Sequence, residues 1–320
     1  MSWKTTLRAL ILILLAINLT IGGALYRERR RAAYLPEDMV GEALTNLSEK
    51  NITVSGKPDT HIYTEPIFSY AAQTGFADAA RLNAESEYPS VLAALSFLSG
   101  KSLSFVKENV HYFDTPDGLS ASVTDENQNP LGTAVLSGKA NFEFLCSELA
   151  ENPLASRTVE NFAQTAGSVP SAAKKGLSAF FGAVYAENVS YEITAFEKTE
   201  EYALLYCAVT LNKRPIYDMN FYAAVRLKDA KICVLNGNLF FSEPSGAYNA
   251  ALLDGVNILY YLDIPDNSAA EVLSERLFYS FYQYDAAEYY LVPAWEIVYR
   301  DETDTLHTVY RNALNGKAVS

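Results

Sequence analysis

The chain is poor in the side chains that ligate metals or serve as nucleophiles, with three cysteines and three histidines among 320 residues. Cys146, Cys207 and Cys233 include no Cys-x-x-Cys pair and cannot build a dense disulfide framework. At most one bridge exists, and the simpler role for each cysteine is a small buried hydrophobe. His61, His111 and His307 stand far apart, none at the i, i+4 spacing of a zinc-binding helix. Phosphate loops, Gly-x-Gly-x-x-Gly and Gly-x-Ser-x-Gly are missing too. Ser171-Ala172-Ala173-Lys174 matches the Ser-x-x-Lys of penicillin-recognising enzymes, but no Ser-Asp-Asn or Lys-Thr-Gly follows, so these residues read as a helix start. These absences predict a protein that is not an enzyme and carries no cofactor or metal. Positive charge is also scarce, at 25 basic against 38 acidic residues, for a net charge of −13. The first 31 residues hold six of the basic residues and one acid, which leaves −18 on the remainder. Such a body lacks the basic footprint that nucleic acid requires, and anionic lipid would repel it if it lay flat on a membrane. Its many Asp and Glu residues read as a solvated surface.

Long apolar runs are also absent, with one exception. Ala9 to Leu25 reads ALILILLAINLTIGGAL, seventeen positions without an ionisable side chain. As a helix the run spans roughly 26 Å, close to the hydrocarbon thickness of a bilayer. Residues 9–26 are therefore expected to be a transmembrane signal anchor, with residues 1–8 a short cytoplasmic tail and 27–35 a basic juxtamembrane linker. Gly22-Gly23-Ala24 could serve as a signal-peptide cleavage site, but the run is longer than a usual signal core. Orientation is contested. Arg27, Arg29, Arg30 and Arg31 outnumber Lys4 and Arg8, which favours a body inside the cell. A short polar N-terminus before a large domain is nevertheless the layout of a signal anchor, so a single-pass protein with an extracytoplasmic body is expected. Within the run, Ala16, Gly22 and Gly23 permit close helix approach and Asn18 can hydrogen-bond a partner helix; these four are the candidate partner-binding residues in the membrane.

The body reads as α+β, in two units of antiparallel sheet with packed helices, 36–155 and 156–320. Met39, Val40, Ala43, Leu44 and Leu47 recur at helical spacing. Short extended segments follow at Ile52–Val54 and His61–Tyr70. Helices are expected at Ala77–Ala84, at Pro89–Leu98 and over 140–149, and strands at His111–Thr115, Leu119–Thr124 and Leu131–Leu136. A connector rich in Ala, Ser, Thr and Gly runs from Pro153 to Lys175. Beyond it, Ala203 to Leu211 and Tyr217 to Leu227 alternate with period two around a turn at Asn212–Pro215, which predicts a long hairpin. A strand at Ile232–Leu235, a helix at about 247–260, and strands around Leu277–Phe281 and Leu291–Tyr299 complete the reading. Nine of the 22 tyrosines fall between residues 260 and 310. Such density suits either a sheet packed on helices or a recognition face.

YYLVPAWEIVY at 289–299, followed by TVYRNALNGKAV at 308–319, resembles the closing strands of the membrane-tethered regulators of the YycI family, relatives of YycH. Val292, Pro293 and Trp295 fill the Val-Pro-x-Trp core of that end motif, and Asn312, Ala313 and Gly316 fill its Asn-Ala-x-x-Gly. PepSY-type domains close similarly. The chain departs from the family in its strong acidity and in carrying Arg at 311 where an apolar residue is usual. The resemblance implies a YycI/PepSY-like fold and a non-enzymatic accessory role in the WalK–WalR (YycG–YycF) two-component system, which governs cell-wall homeostasis in Gram-positive bacteria. It also implies the partners: a sensor histidine kinase of WalK type, met through the membrane helix and the outer domain, and a YycH-like protein. The competing reading is a PepSY-like module that binds a peptide or wall fragment, or inhibits a protease. The aromatic cluster discriminates between them. Tyr289 and Trp295 in an open groove favour ligand binding, whereas packing beneath helices favours regulation of a partner.

Overall fold

The computed structural model describes residues 32–71, 89–116, 118–137, 141–155, 157–158, 162, 167–185, 188–239, 246–265, 268–283 and 288–319. The expected anchor at 9–26, with Ala16, Asn18, Gly22 and Gly23, and the helix expected at 77–84 lie outside the described residues. No helix among the described residues is long and apolar enough to cross a membrane.

The α+β class is borne out, with strand predominating. The helices are α1 (Glu37–Glu49), α2 (Pro89–Ser99), α3 (Leu103–Asn109), α4 (Ser171–Val184) and α5 (Gly255–Ile258). The strands are β1 (Ile52–Val54), β2 (Thr64–Ala71), β3 (Val110–Thr115), β4 (Gly118–Thr124), β5 (Pro130–Ser137), β6 (Asn141–Cys146), β7 (Val189–Lys198), β8 (Tyr202–Leu211), β9 (Arg214–Arg226), β10 (Ile232–Asn238), β11 (Gly246–Ala251), β12 (Ala270–Gln283), β13 (Glu288–Asp301) and β14 (Leu306–Asn312). By contact they form two compact units. The first takes the described residues through Ile67, Tyr248–Leu277 and those from Val292 onward; the second takes Phe68–Ala247 and Phe278–Leu291. Residue 155 falls inside the second unit.

In the second unit, β7, β8, β9, β10, β6, β5, β4 and β3 lie side by side, each antiparallel to the next. The long hairpin expected over 203–227 is β8 and β9, paired from Tyr202↔Arg226 to Leu211↔Arg214. The apolar run of β8 is continuous rather than alternating because both faces of the sheet are covered there. One face carries α2 and α4, where Leu95, Leu98, Leu177, Phe180 and Phe181 pack with Phe142, Phe144 and Phe221. On the other face Leu154 and Phe162, from the predicted connector, pack on Leu204, Ala224 and Val234.

Two expected helices are corrected. Residues 140–149 hold strand β6: Phe142, Phe144 and Cys146 are buried and alternate with Asn141, Glu143 and Leu145, a period of two that the apolar spacing of Phe142, Leu145 and Leu149 disguised. Residues 247–260 are strand β11, then the single turn α5, then a 3₁₀ turn at Leu259–Tyr261. The helix cannot begin earlier, because Asp254 caps it and backbone bonds from Leu252 N to Tyr63 O (3.0 Å) and from Leu253 N to Ala313 O (2.7 Å) hold the preceding residues extended.

In the first unit, α1 lays Val40, Ala43, Leu44 and Leu47 on a core containing Ile52, Val256, Ile258, Val272, Trp295 and Ile297. Strand β1 runs parallel to β12 from Ile52↔Ala270 to Val54↔Val272, and β14 runs antiparallel to β13.

Phe180 has no exposed surface and meets the Phe97 and Phe181 rings edge-on at 5.7 and 5.6 Å. Its replacement in Phe180→Ala leaves a cavity between α4 and the sheet and is expected to cost about 3–5 kcal/mol in urea unfolding. A loss below about 1 kcal/mol, within the range of a surface change, contradicts the packing described.

Candidate functional site

The end motif comes together in space as a clasp in the first unit. Strands β13 and β14 pair Ala294 with Asn312 and Trp295 with Arg311. Past Asn312 the chain turns back sharply: Ala313 N donates to Pro293 O (3.0 Å), Gly316 N to Asn312 O (2.8 Å), and Asn312 N to Lys317 O (2.8 Å). The Asn312 side chain closes the turn by accepting from Leu314 N at 2.8 Å. Gly316 is required twice over, since its φ is +71° and a Cβ there would lie 2.2 Å from the Tyr261 ring. Val292 and Ala313 are buried. Trp295 is fully buried, and its indole Nε1 donates to Leu253 O at 2.8 Å. Arg311 is buried too, and its guanidinium reaches the exposed carboxylate of Asp263 at 2.8 Å, so a charged residue at this position is accommodated by pairing.

The clasp grips Leu253 on both sides, through Ala313 O and the Trp295 indole, and so sets the residues that follow. Asp254 caps α5 by accepting from Val256 N and Asn257 N at 3.0 and 2.9 Å. Gly255 then presses on Glu275 of β12: a Cβ at 255 would lie 2.3 Å from Glu275 Oε2 and 2.6 Å from Asp59 O. Glu275 Oε2 accepts from Asp59 N at 3.3 Å. The Asp59 carboxylate accepts from His61 N (3.0 Å) and from the Tyr63 hydroxyl (2.7 Å). The His61 ring sits 5.0 Å from Tyr34 and 4.3 Å from Tyr63, and Tyr63 lies 6.0 Å from Trp295. A chain of contacts thus leads from the clasp to an acidic corner.

Two buried polar atoms in that corner, Glu275 Oε1 and His61 Nδ1, have no hydrogen-bond partner among the described residues. Burial pushes the Glu275 carboxyl up to about 7; the bond from Asp59 N opposes this, and the nearby charges of Asp59 and Asp254 add to it. A cavity of about 140 Å³ opens beside it, lined by Ser55, Lys57, Asp59, Ser274 and Glu275 among others. The corner can hold a proton near neutral pH or hydrogen-bond a small polar group. It does not pair a nucleophile with a base.

The other singled-out residues are scattered. Ser171 and Lys174 occupy the exposed first turn of α4. His111 is exposed on β3, and His307 bonds Asp301 Oδ2 at 2.7 Å beside a hairpin turn. Among the described residues no group of three His, Cys, Asp or Glu side chains is placed to hold a metal ion. Sequence reasoning passed over Glu275, Asp59 and Gly255. Along β12 burial alternates at Ala270 and Val272 and is continuous from Leu277 to Ser280, and Glu275 stands between the two stretches.

No protein-family model matches the chain, and no curated protein matches it. Among solved structures it is similar to an uncharacterized protein from Eubacterium rectale, at 10% identity over 88% of this chain and 98% of that one, with a TM-score of 0.45. It is also similar to the C-terminal domain of YpeB from Bacillus megaterium, at 14% identity over 73% of this chain and 96% of that one, with a TM-score of 0.33.

The raised Glu275 carboxyl fixes the sign of a pH effect. Below about pH 4.5 folded and unfolded chains both carry the proton. Between there and about 7 only the folded chain keeps it, so stability falls as pH rises, by about 3 kcal/mol in total. Glu275→Gln is expected to remove this slope. Urea unfolding across pH 4 to 8 would check it, and parallel curves for the two proteins would count against it.

Proposed function

We propose that the chain is a non-enzymatic accessory regulator of a sensor histidine kinase of WalK type, held to the membrane by residues 9–26 with an extracytoplasmic body, and working beside a YycH-like protein. The reading rests on the resemblance of residues 289–299 and 308–319 to the YycI end motif and on the single apolar run before an acidic body. The observation that carries it over a ligand-binding module is the complete burial of Trp295, whose indole N–H is spent on Leu253 O. A side chain closed under α1 and α5 offers no platform to a peptide or wall fragment. Tyr289, the other aromatic of that test, has a side chain outside the described residues.

The physical route is differential packing. A kinase that signals through small shifts of its membrane helices responds to a neighbour only if that neighbour packs better with one arrangement than with the other. Ala16, Gly22 and Gly23 allow the close approach, Asn18 supplies a polar contact, and the body adds contacts outside.

Full-length protein is expected to co-purify with the kinase, and removal of residues 1–31 to abolish both co-purification and the kinase response while leaving the body folded by circular dichroism. A kinase response that survives the truncation would defeat the proposal.

A further inference from the structure

Two of the three cysteines face each other across a sheet. Strands β10 and β6 pair antiparallel from Asn238↔Asn141 to Val234↔Leu145; Cys233 and Cys146 are the next residues along, beside a bulge of β10 against β9 between Ile232 and Val234. Both belong to the core under α2 and α4 and are 1% exposed, whereas Val234 belongs to the cluster on the other face. Their sulfurs are close enough to sense each other's charge. Directly opposed antiparallel residues hold their Cα atoms about 4.5–5.5 Å apart, inside the range of about 4.4–6.8 Å that a disulfide spans. Cys207 differs. It lies within β8, opposite Ile193 and Phe221, with no cysteine across from it, and burial pushes its thiol far up.

The pair also sits at a rim. Cys146 is the last residue of β6, and Cys233 the second of β10, so fraying of one rung exposes both. Over them lies a clamp of charge. Glu148, just past β6, binds Lys231 at 2.8 Å and Arg226 at 3.0 Å, and Arg226 binds Asp229 at 2.7 Å. The Cys146 thiol donates to Leu131 O at 3.9 Å and the Cys233 thiol to Lys231 O at 3.7 Å; burial pushes the Cys233 thiol up, and the charges of Arg226 and Lys231 oppose that rise. The cations stand where negative charge develops when a sulfur attacks.

We propose that Cys146 and Cys233 form a site of reversible oxidation that closes a cross-strand disulfide beneath the Glu148 clamp when a small peroxide reaches the rim. One sulfur, as thiolate, attacks a peroxide oxygen; the O–O bond breaks, the sulfur becomes a sulfenic acid, and the departing oxygen leaves as water after taking a proton. The second sulfur attacks the sulfenic sulfur, the S–S bond forms, and a second water departs. Two thiols are oxidised and one hydrogen peroxide is reduced to two waters. A one-rung bridge must draw the Cβ atoms together by about 1 Å, which strains it and keeps it reducible by ordinary dithiols.

The test is hydrogen peroxide on the folded full-length chain, followed by denaturation, maleimide labelling and mass spectrometry. Labels are expected to fall from three to one, retained on Cys207, with a linked peptide joining Cys146 to Cys233 and with all three labels restored by dithiothreitol. Cys146→Ser and Cys233→Ser are each expected to give no linked peptide. Glu148→Gln, which opens the clamp, is expected to speed bridge formation several-fold. Three labels after treatment, oxygen added to separate sulfurs without a link, or a link that includes Cys207 would overturn the proposal. A rate unchanged in Glu148→Gln would overturn the role of the clamp.

Discussion

The first unit is organised around one hydrogen bond, from the Trp295 indole to Leu253 O. Burying an indole without a partner for its N–H is costly, and burying a carbonyl without a donor costs as much again. Satisfying both at once fixes β13 against the segment that leads into α5. Ala313 O takes the Leu253 N–H from the other side, so a residue with no regular secondary structure is held as firmly as one in a sheet. From that point Asp254 starts the helix and Gly255 comes to rest on Glu275. The acidic corner is thus a consequence of the clasp, and the raised carboxyl is what remains when Gly255, Asp59 and Glu275 are pressed together away from water.

Much of the strand framework was legible. Two extended apolar runs, Ala203 to Leu211 and Tyr217 to Leu227, separated by the turn residues Asn212–Pro215, predict a hairpin, and the hairpin is there. Pro89 at a first turn marked α2 correctly. Where the reading failed, two periods fitted the same letters: Phe142, Leu145 and Leu149 suit a helix, Phe142, Phe144 and Cys146 a strand, and the neighbouring strands β5 and β10 decided in favour of the strand. Residues 247–260 failed for another reason. Their extended start depends on Tyr63 and Ala313, far away in sequence, and no local pattern announces such partners.

The candidate site was legible in part. The six end-motif residues drew notice through resemblance, and they do meet, but their task as a clasp depends on Leu253 and Tyr261, which no motif names. Glu275 was hidden among 38 acids that mostly cover a solvated surface. Only its place just before the continuously buried stretch Leu277–Ser280 of β12 sets it apart. The thiol pair was hidden by distance, since 87 positions separate Cys146 from Cys233 and only the β6–β10 register makes them neighbours.

Strands β12 and β13 each begin among the residues of one unit and end among those of the other. This has a consequence for the order of synthesis. Leu47 and Ile52 are made early, yet the core that shelters them includes Trp295, Ile297 and Ala313, made some 250 residues later. At ribosomal speeds of about 5–20 residues per second, the early helix waits tens of seconds with its apolar stripe uncovered. Such long-range closure is slow to nucleate, so the first unit completes its core only when its last strands arrive.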